Sequence, residues 1–205
     1  MSHKPAIIFD LGKVLVDFDY GILINRLAQR CDRPVPFVAR LVDQSPLLMS
    51  YESGAIDTPG FFDAIRTATG FPGNLDEFAD MFGDIFTPIE PMVALHQELR
   101  AAGYPAYIFS NTNPLAVRWI KRQFPFFSRF DGYIYSFAQR AMKPDPVIYE
   151  VVEKTAARRG PDLIYIDDRA ENLVTAKSRN WRVILQSKPE RTRAEVGRMT
   201  DLAIG

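Results

Sequence analysis

The run Ala6-Ile7-Ile8-Phe9 is apolar throughout and stops abruptly at Asp10. A strand with one wet face alternates apolar and polar residues. A run without alternation suits a strand covered on both faces, as in a parallel sheet flanked by helices. The design recurs: Tyr107-Ile108-Phe109 stops at Ser110, and Leu163-Ile164-Tyr165-Ile166 stops at Asp167-Asp168. Tyr133-Ile134-Tyr135 and Val183-Ile184-Leu185 are further candidates. Between these runs lie stretches with helical spacing. Glu90 to Ala102 carries Met92, Leu95 and Leu99 and ends at Gly103. Pro114 to Gln123, Pro144 to Arg159 and Ala170 to Arg179 read the same way, with Pro114 and Pro144 suited to a first helical turn. Strand and helix in alternation imply an α/β fold built on a doubly wound, Rossmann-like parallel sheet.

Asp17 to Pro88 breaks this rhythm. It holds no convincing buried strand and reads as several short helices, punctuated at Asp32-Arg33-Pro34, Ser53-Gly54, Thr58-Pro59-Gly60 and Phe71-Pro72-Gly73. Eight of the chain's 15 phenylalanines fall here (Phe18, Phe37, Phe61, Phe62, Phe71, Phe78, Phe82 and Phe86), enough apolar area for a small core of its own. The expected organisation is an α/β core from residues 1–16 and 89–205 with a helical module, 17–88, inserted after the first strand.

Composition narrows the chemistry. Among 205 residues, 25 Lys and Arg face 25 Asp and Glu, which argues against a protein that wraps nucleic acid. The basic tail from Lys188 to Arg198 is interleaved with Glu190 and Glu195, as on a solvated helix. No apolar stretch approaches the ~20 residues of a membrane span, and Met1 to Phe9 lacks a secretory pattern. The expected location is therefore cytoplasmic. The lone cysteine, Cys31, forms no internal disulfide or thiolate cluster, and His3 and His96 are too few for a histidine-rich site. A metal held here must be held mainly by oxygen, which favours a hard ion such as Mg²⁺.

In an open parallel sheet, ligands bind beyond the carboxyl ends of the strands. Asp10, Ser110 and Asp167-Asp168 all stand at that edge. Each alone could be a turn or capping residue, as could Ser110-Asn111-Thr112-Asn113 before Pro114, and Lys143 could be a surface lysine. Together they combine carboxylates, a hydroxyl with neighbouring amides, and an ammonium. Such a set handles a phosphate with a divalent metal.

These residues resemble the motifs of the haloacid dehalogenase-like hydrolases. The first motif is Ile7-Ile8-Phe9-Asp10-Leu11-Gly12-Lys13-Val14-Leu15-Val16, the second Tyr107 to Asn113, the third Lys143 to Tyr149, and the fourth Tyr165-Ile166-Asp167-Asp168 with Glu171-Asn172. Order and spacing match nearly the whole chain, and the insert falls where the family carries its small helical cap. The wording is most similar to the branch that includes sugar-phosphate phosphatases of the glucose-1-phosphatase kind.

The resemblance implies a phosphatase acting on a small phosphorylated metabolite through an aspartyl-phosphate. Asp10 is then the nucleophile. Mg²⁺ lies among Asp10, the main-chain carbonyl of Gly12 and Asp168, with Asp167 behind it or bridged by water. Ser110 and the amide of Asn111 hold phosphoryl oxygens, Lys143 neutralises charge, and Asn172 braces the loop.

One position departs from the pattern. Most phosphatases of the family carry a second Asp two residues after the nucleophile, as general acid; here that residue is Gly12. Asp17 or Asp19 could replace it, or the leaving group could need little protonation. A 2-haloacid dehalogenase or a non-catalytic binding protein are the alternative readings. Asp17, Tyr20, Arg40, Tyr51 and Glu52 are the insert residues expected to be able to reach a substrate. A monomer and a homodimer are both compatible with the Phe-rich insert.

Overall fold

The computed structural model describes residues 4–202; His3 and both ends of the chain lie outside the described residues. The chain opens with β1 (Ala6–Phe9) and β2 (Val16–Phe18). Helices α1 (Tyr20–Cys31), α2 (Val35–Val42), α3 (Pro46–Glu52), α4 (Thr58–Thr69) and α5 (Leu75–Gly83) follow, then β3 (Phe86–Pro88). The remainder alternates: α6 (Glu90–Ala101), β4 (Ala106–Ser110), α7 (Pro114–Gln123), β5 (Gly132–Tyr135), α8 (Ser136–Gln139), α9 (Pro146–Ala156), β6 (Leu163–Asp167), α10 (Ala170–Ser178), β7 (Arg182–Leu185) and α11 (Pro189–Met199).

Five strands form one parallel sheet in the order β5-β4-β1-β6-β7. All five are the apolar runs read from the sequence. The period of two explains why those runs lack polar residues. Ile7 and Phe9 of β1 pack to one side with Met92, Leu95 and Leu99 of α6. Ala6 and Ile8 pack to the other with Ile148, Tyr149 and Val152 of α9. With both faces covered, every residue of β1 and β6 is buried.

β1 is central, and its neighbours β4 and β6 are reached by crossovers in opposite directions. That reversal opens a crevice at the carboxyl edge. In register, Phe9 pairs with Ile108 and Ile166, so Asp10 leaves the sheet between the ends of β4 and β6.

Between β2 and β3 the helices gather a second apolar cluster. Phe61, Phe78 and Phe82 are fully buried in it, and Tyr51 stacks on Phe61 with centroids 4.5 Å apart. Leu115 and Ala116 of α7 belong to the same cluster, so the helices rest on the core rather than standing apart. The two chain crossings run side by side: β2 and β3 pair antiparallel, Val16 with Pro88 and Phe18 with Phe86. This ribbon is not legible in the sequence. It is short and half-exposed, and its partners are distant in the chain, so it leaves no periodicity.

The core also holds a histidine. His96 of α6 is fully buried, stacks on Phe130 at 4.0 Å and meets Phe9 edge-on. Neither ring nitrogen makes a well-formed hydrogen bond. Burial, then the charge of Arg100, pushes its pKa down to about 4 from the usual 6.5. Between those values the unfolded chain binds the extra proton, so stability is full above pH 6.5 and is lost as pH falls toward 4. The loss amounts to about 3 kcal/mol. His96→Phe is expected to remove most of it, measured as the difference in urea unfolding free energy between pH 7 and pH 4. An unchanged difference would contradict the assignment.

Candidate active site

The strand ends converge on one cavity of about 480 Å³. Its floor carries Asp10, Gly12, Ser110, Asn111, Lys143, Asp168 and Asn172, and its roof carries Phe18, Tyr20, Asp43, Gln44, Leu48, Met49 and Glu52. Of the residues that the resemblance assigns to catalysis, phosphate and metal, all line the cavity except Asp167, which is fully buried.

Asp10 is 7% exposed, and its Oδ1 accepts from the Leu11 amide at 2.7 Å and lies 3.0 Å from Lys143 Nζ. Burial drives its carboxyl up to about 7; Lys143 opposes this and Asp167 adds to it. Lys143 Nζ also donates to Asp167 Oδ2 at 2.7 Å and to the Phe109 carbonyl at 3.1 Å. Burial pulls the ammonium down, but the two carboxylates more than offset this, and its pKa is raised. Asp167 resists burial in the same way and is held below the usual carboxylate range by Lys143.

Asp167 is saturated by donors. Beyond Lys143, it accepts from the Tyr165 hydroxyl, from the Arg169 amide at 2.8 Å, and from Asn172 Nδ2 at 3.0 and 3.1 Å. It thereby ties β6, the start of α10 and Lys143 together. Asp168 instead is half-buried and opens to the cavity, its pKa raised by burial and then by Asp167.

Asp10, Asp167 and Asp168 each present an oxygen within 4.8 Å of the others. Three carboxylates face one buried ammonium, an excess of two negative charges. Hard oxygen donors with that excess fit a divalent cation such as Mg²⁺. Asp10 and Asp168 have the open oxygens; those of Asp167 are already engaged.

The second motif divides its labour. Ser110 is 2% exposed and lines the cavity, whereas Asn113 caps α7, its Oδ1 accepting from the Ala116 amide at 3.0 Å. Asn111 braces Lys143: its Nδ2 donates to the Lys143 carbonyl at 3.0 Å, and its Oδ1 accepts from the Lys143 amide at 2.8 Å. The sequence carries no sign of that side-chain role, because the two residues meet only in the fold.

The expected substitutes for the missing acid do not fit. Asp17 is exposed and bonded to Lys13, which holds its carboxyl below the usual range, and it also accepts from the Phe18 amide at 2.8 Å. Asp19 caps α1, accepting from the Gly21 amide at 2.7 Å. Neither lines the cavity. At Gly12, a Cβ would lie 2.8 Å from Phe18 Cε1, so the Phe18 ring already fills the space beside it. Of the insert residues expected to be able to reach a substrate, Tyr20 and Glu52 line the cavity. Tyr51 is buried, with its hydroxyl 2.7 Å from Thr58 Oγ1, and Arg40 is exposed away from the cavity lining.

Comparison with known proteins identifies a family and a shared fold. A family model for haloacid dehalogenase-like hydrolases matches residues 4–178. The chain is 25% identical over 176 residues to a sesquiterpene phosphatase of Aspergillus oryzae, covering 84% of this chain and 85% of that one. A solved HAD-like family hydrolase from Porphyromonas gingivalis superposes with a TM-score of 0.81 at 21% identity, covering 96% of this chain and 97% of that one. A HAD family enzyme of Bacteroides thetaiotaomicron, solved with magnesium and inorganic phosphate, superposes with a TM-score of 0.77 at 21% identity, covering 90% and 95%. These structural likenesses show the shared fold. Among the described residues no helix is long and apolar enough to cross a membrane.

Proposed function

The chain belongs to the haloacid dehalogenase-like hydrolase family, and from that premise we propose that it is a Mg²⁺-dependent phosphatase working through a phosphorylated Asp10. The observation that carries this reading is the cavity at the sheet edge. There Asp10, Ser110, Lys143 and Asp168 meet in one space, with a charge excess suited to a divalent ion.

Asp10 attacks phosphorus; a carboxylate needs no separate base to do so. Ser110 and the Asn111 amide hold phosphoryl oxygens. Lys143, fixed by Asn111 and Asp167, offsets charge between Asp10 and the phosphate. Asp10, Asp168 and the Gly12 carbonyl would hold Mg²⁺, while Asp167 braces Lys143 and Asn172. When bound, the ion offsets the repulsion between nucleophile and phosphate. The crystallised complex of the Bacteroides enzyme with magnesium and phosphate supports the choice of ion.

Residues 17–88 act as a cap in this reading, with the β2–β3 ribbon as its attachment. The cap contributes Phe18, Tyr20, Leu48 and Met49 to the roof, plus Asp43 and Glu52; among the described residues no Lys or Arg of 17–88 lines the cavity. On the cap side a second anionic group would meet acidic side chains, and the two further cations of the lining, Lys13 and Arg169 of the core, are already paired with Asp17 and Glu171. The favoured substrate is therefore a monoester of an uncharged alcohol. The motif wording supports a sugar phosphate, and the sesquiterpene phosphatase likeness supports a more apolar alcohol.

The test is a phosphate-release panel with Mg²⁺ or with EDTA. Neutral-alcohol monoesters are expected to exceed phosphoglycolate and bisphosphates in kcat/KM by about tenfold or more, since one like-charge contact costs on the order of 1 kcal/mol or more. EDTA should abolish turnover. Chloride release from 2-chloropropionate in EDTA, without phosphate release in Mg²⁺, would replace this reading with a dehalogenase.

A further inference from the structure

Phosphoryl transfer to Asp10 leaves an alkoxide on any ordinary alcohol, and an alkoxide needs a proton. The usual donor is absent at Gly12, and Phe18 fills the adjoining space. Asp17 and Asp19 are committed to Lys13 and to the cap of α1. The cavity roof has two remaining carboxyls, Asp43 and Glu52.

Glu52 is distinguished by how firmly it is fixed. It is the last residue of α3, and its carbonyl accepts from Ser136 Oγ of the core at 2.6 Å. On one side, the Tyr51 hydroxyl accepts from the Leu115 amide at 3.3 Å. On the other, Gly54 adopts φ +73°, and a Cβ there would stand 2.3 Å from the Phe137 carbonyl oxygen, so only glycine allows this approach. Three separate tethers thus fix this end of α3, and with it the backbone that carries Glu52, against the core. The Glu52 side chain is half-buried in the wall of the cavity that Asp10 and Arg169 also line.

Resting on the phosphatase reading, we propose that Glu52 is the general acid and base of the reaction, supplied by the cap in place of the residue missing at Gly12. Its carboxyl is held up to about 7, mainly by burial, so both protonation states are accessible near neutrality. In the first half-reaction an Asp10 oxygen bonds to phosphorus and the ester P–O bond breaks. The electron pair stays on the leaving oxygen, which takes the proton of Glu52. In the second half-reaction Glu52 takes a proton from water. The water oxygen bonds to phosphorus, the bond to Asp10 breaks, and phosphate departs with Asp10 restored.

The test compares wild type, Glu52→Gln and Glu52→Ala on an alkyl phosphate and on 4-nitrophenyl phosphate, whose leaving group needs no proton. For the alkyl ester, both variants are expected to lose about a hundred- to ten-thousandfold in kcat/KM. For the aryl ester the loss should be under about tenfold, since kcat/KM excludes the second half-reaction. Both variants should also show a burst of nitrophenolate as phosphoenzyme accumulates. Retained aryl turnover verifies the fold. Equal losses on the two esters, or no loss on the alkyl ester, would overturn the role of Glu52 while leaving the phosphatase standing. A wild type inactive on both would overturn the phosphatase reading itself.

Discussion

Replacing Asp10 with asparagine is expected to cut Mg²⁺-dependent phosphate release at least about a thousandfold while leaving the chain folded. Asparagine keeps the shape and the hydrogen bond from the Leu11 amide but loses the nucleophilic oxygen and one ligand of the cation. The change should not destabilise the metal-free protein. Asp10 is nearly buried, and its carboxyl is pushed up to about 7 by that burial, against the usual 3.8. A group whose folded pKa is raised loses stability as pH climbs between the two values. The neutral amide escapes that loss, so at pH 8 without metal the variant should melt at or above the wild-type temperature. A variant that is inactive because it is unfolded would fail this prediction. A variant that is folded and still turns over at a tenth of the wild-type rate would remove Asp10 from the chemistry.

The second large effect concerns Lys143. Its ammonium is 1% exposed and stands between Asp10 and Asp167, at 3.0 and 2.7 Å. Lys143→Met keeps much of the length and packing but leaves two buried carboxylates facing each other. Removing one member of a buried ionic set costs about 3–5 kcal/mol, because the remaining charge is left uncompensated. The sign with pH follows. Without the ammonium, both carboxyls rise above their unfolded values, so the folded state takes up protons and the deficit shrinks on acidification. The variant should be most destabilised near pH 8 and recover part of the loss near pH 5, read from urea unfolding at both values. Activity should be lost at either pH, since the phosphoryl group loses its cation. Equal destabilisation at pH 5 and pH 8 would mean that packing, not charge, is what Lys143 supplies.

The residues behind both predictions are legible in the sequence. Asp10, Ser110 and Asp167-Asp168 each end an apolar run, and strands covered on both faces leave that signature because no polar residue can be tolerated until the edge. The helix starting near Pro144 was legible too, but its first turn begins at Pro146, because Asp145 acts as the cap and accepts from the Val147 amide at 2.9 Å. What the sequence withheld has a common physical character: it depends on partners far apart in the chain. The β2–β3 ribbon, the grip of Asn111 on Lys143 and the tether of Ser136 to Glu52 all join distant segments. The wrong candidates failed for the opposite reason. Asp17 and Asp19 are near Asp10 in sequence, but local turn chemistry uses them, Asp17 with Lys13 four residues earlier and Asp19 at the start of α1. An Asp directly before a helical run is itself a capping signal, and it could have warned against Asp19.

Capture of the covalent intermediate decides whether Asp10 carries the phosphoryl group. Enzyme turning over a phosphate ester in Mg²⁺ is quenched in acid, digested, and examined by mass spectrometry for a phosphorylated peptide. One acid-stable, base-labile phosphoryl group is expected, on Asp10, absent when EDTA replaces Mg²⁺. A phosphoryl group on another residue, or steady turnover through rapid sampling with Asp10 never modified, would contradict Asp10 as the nucleophile.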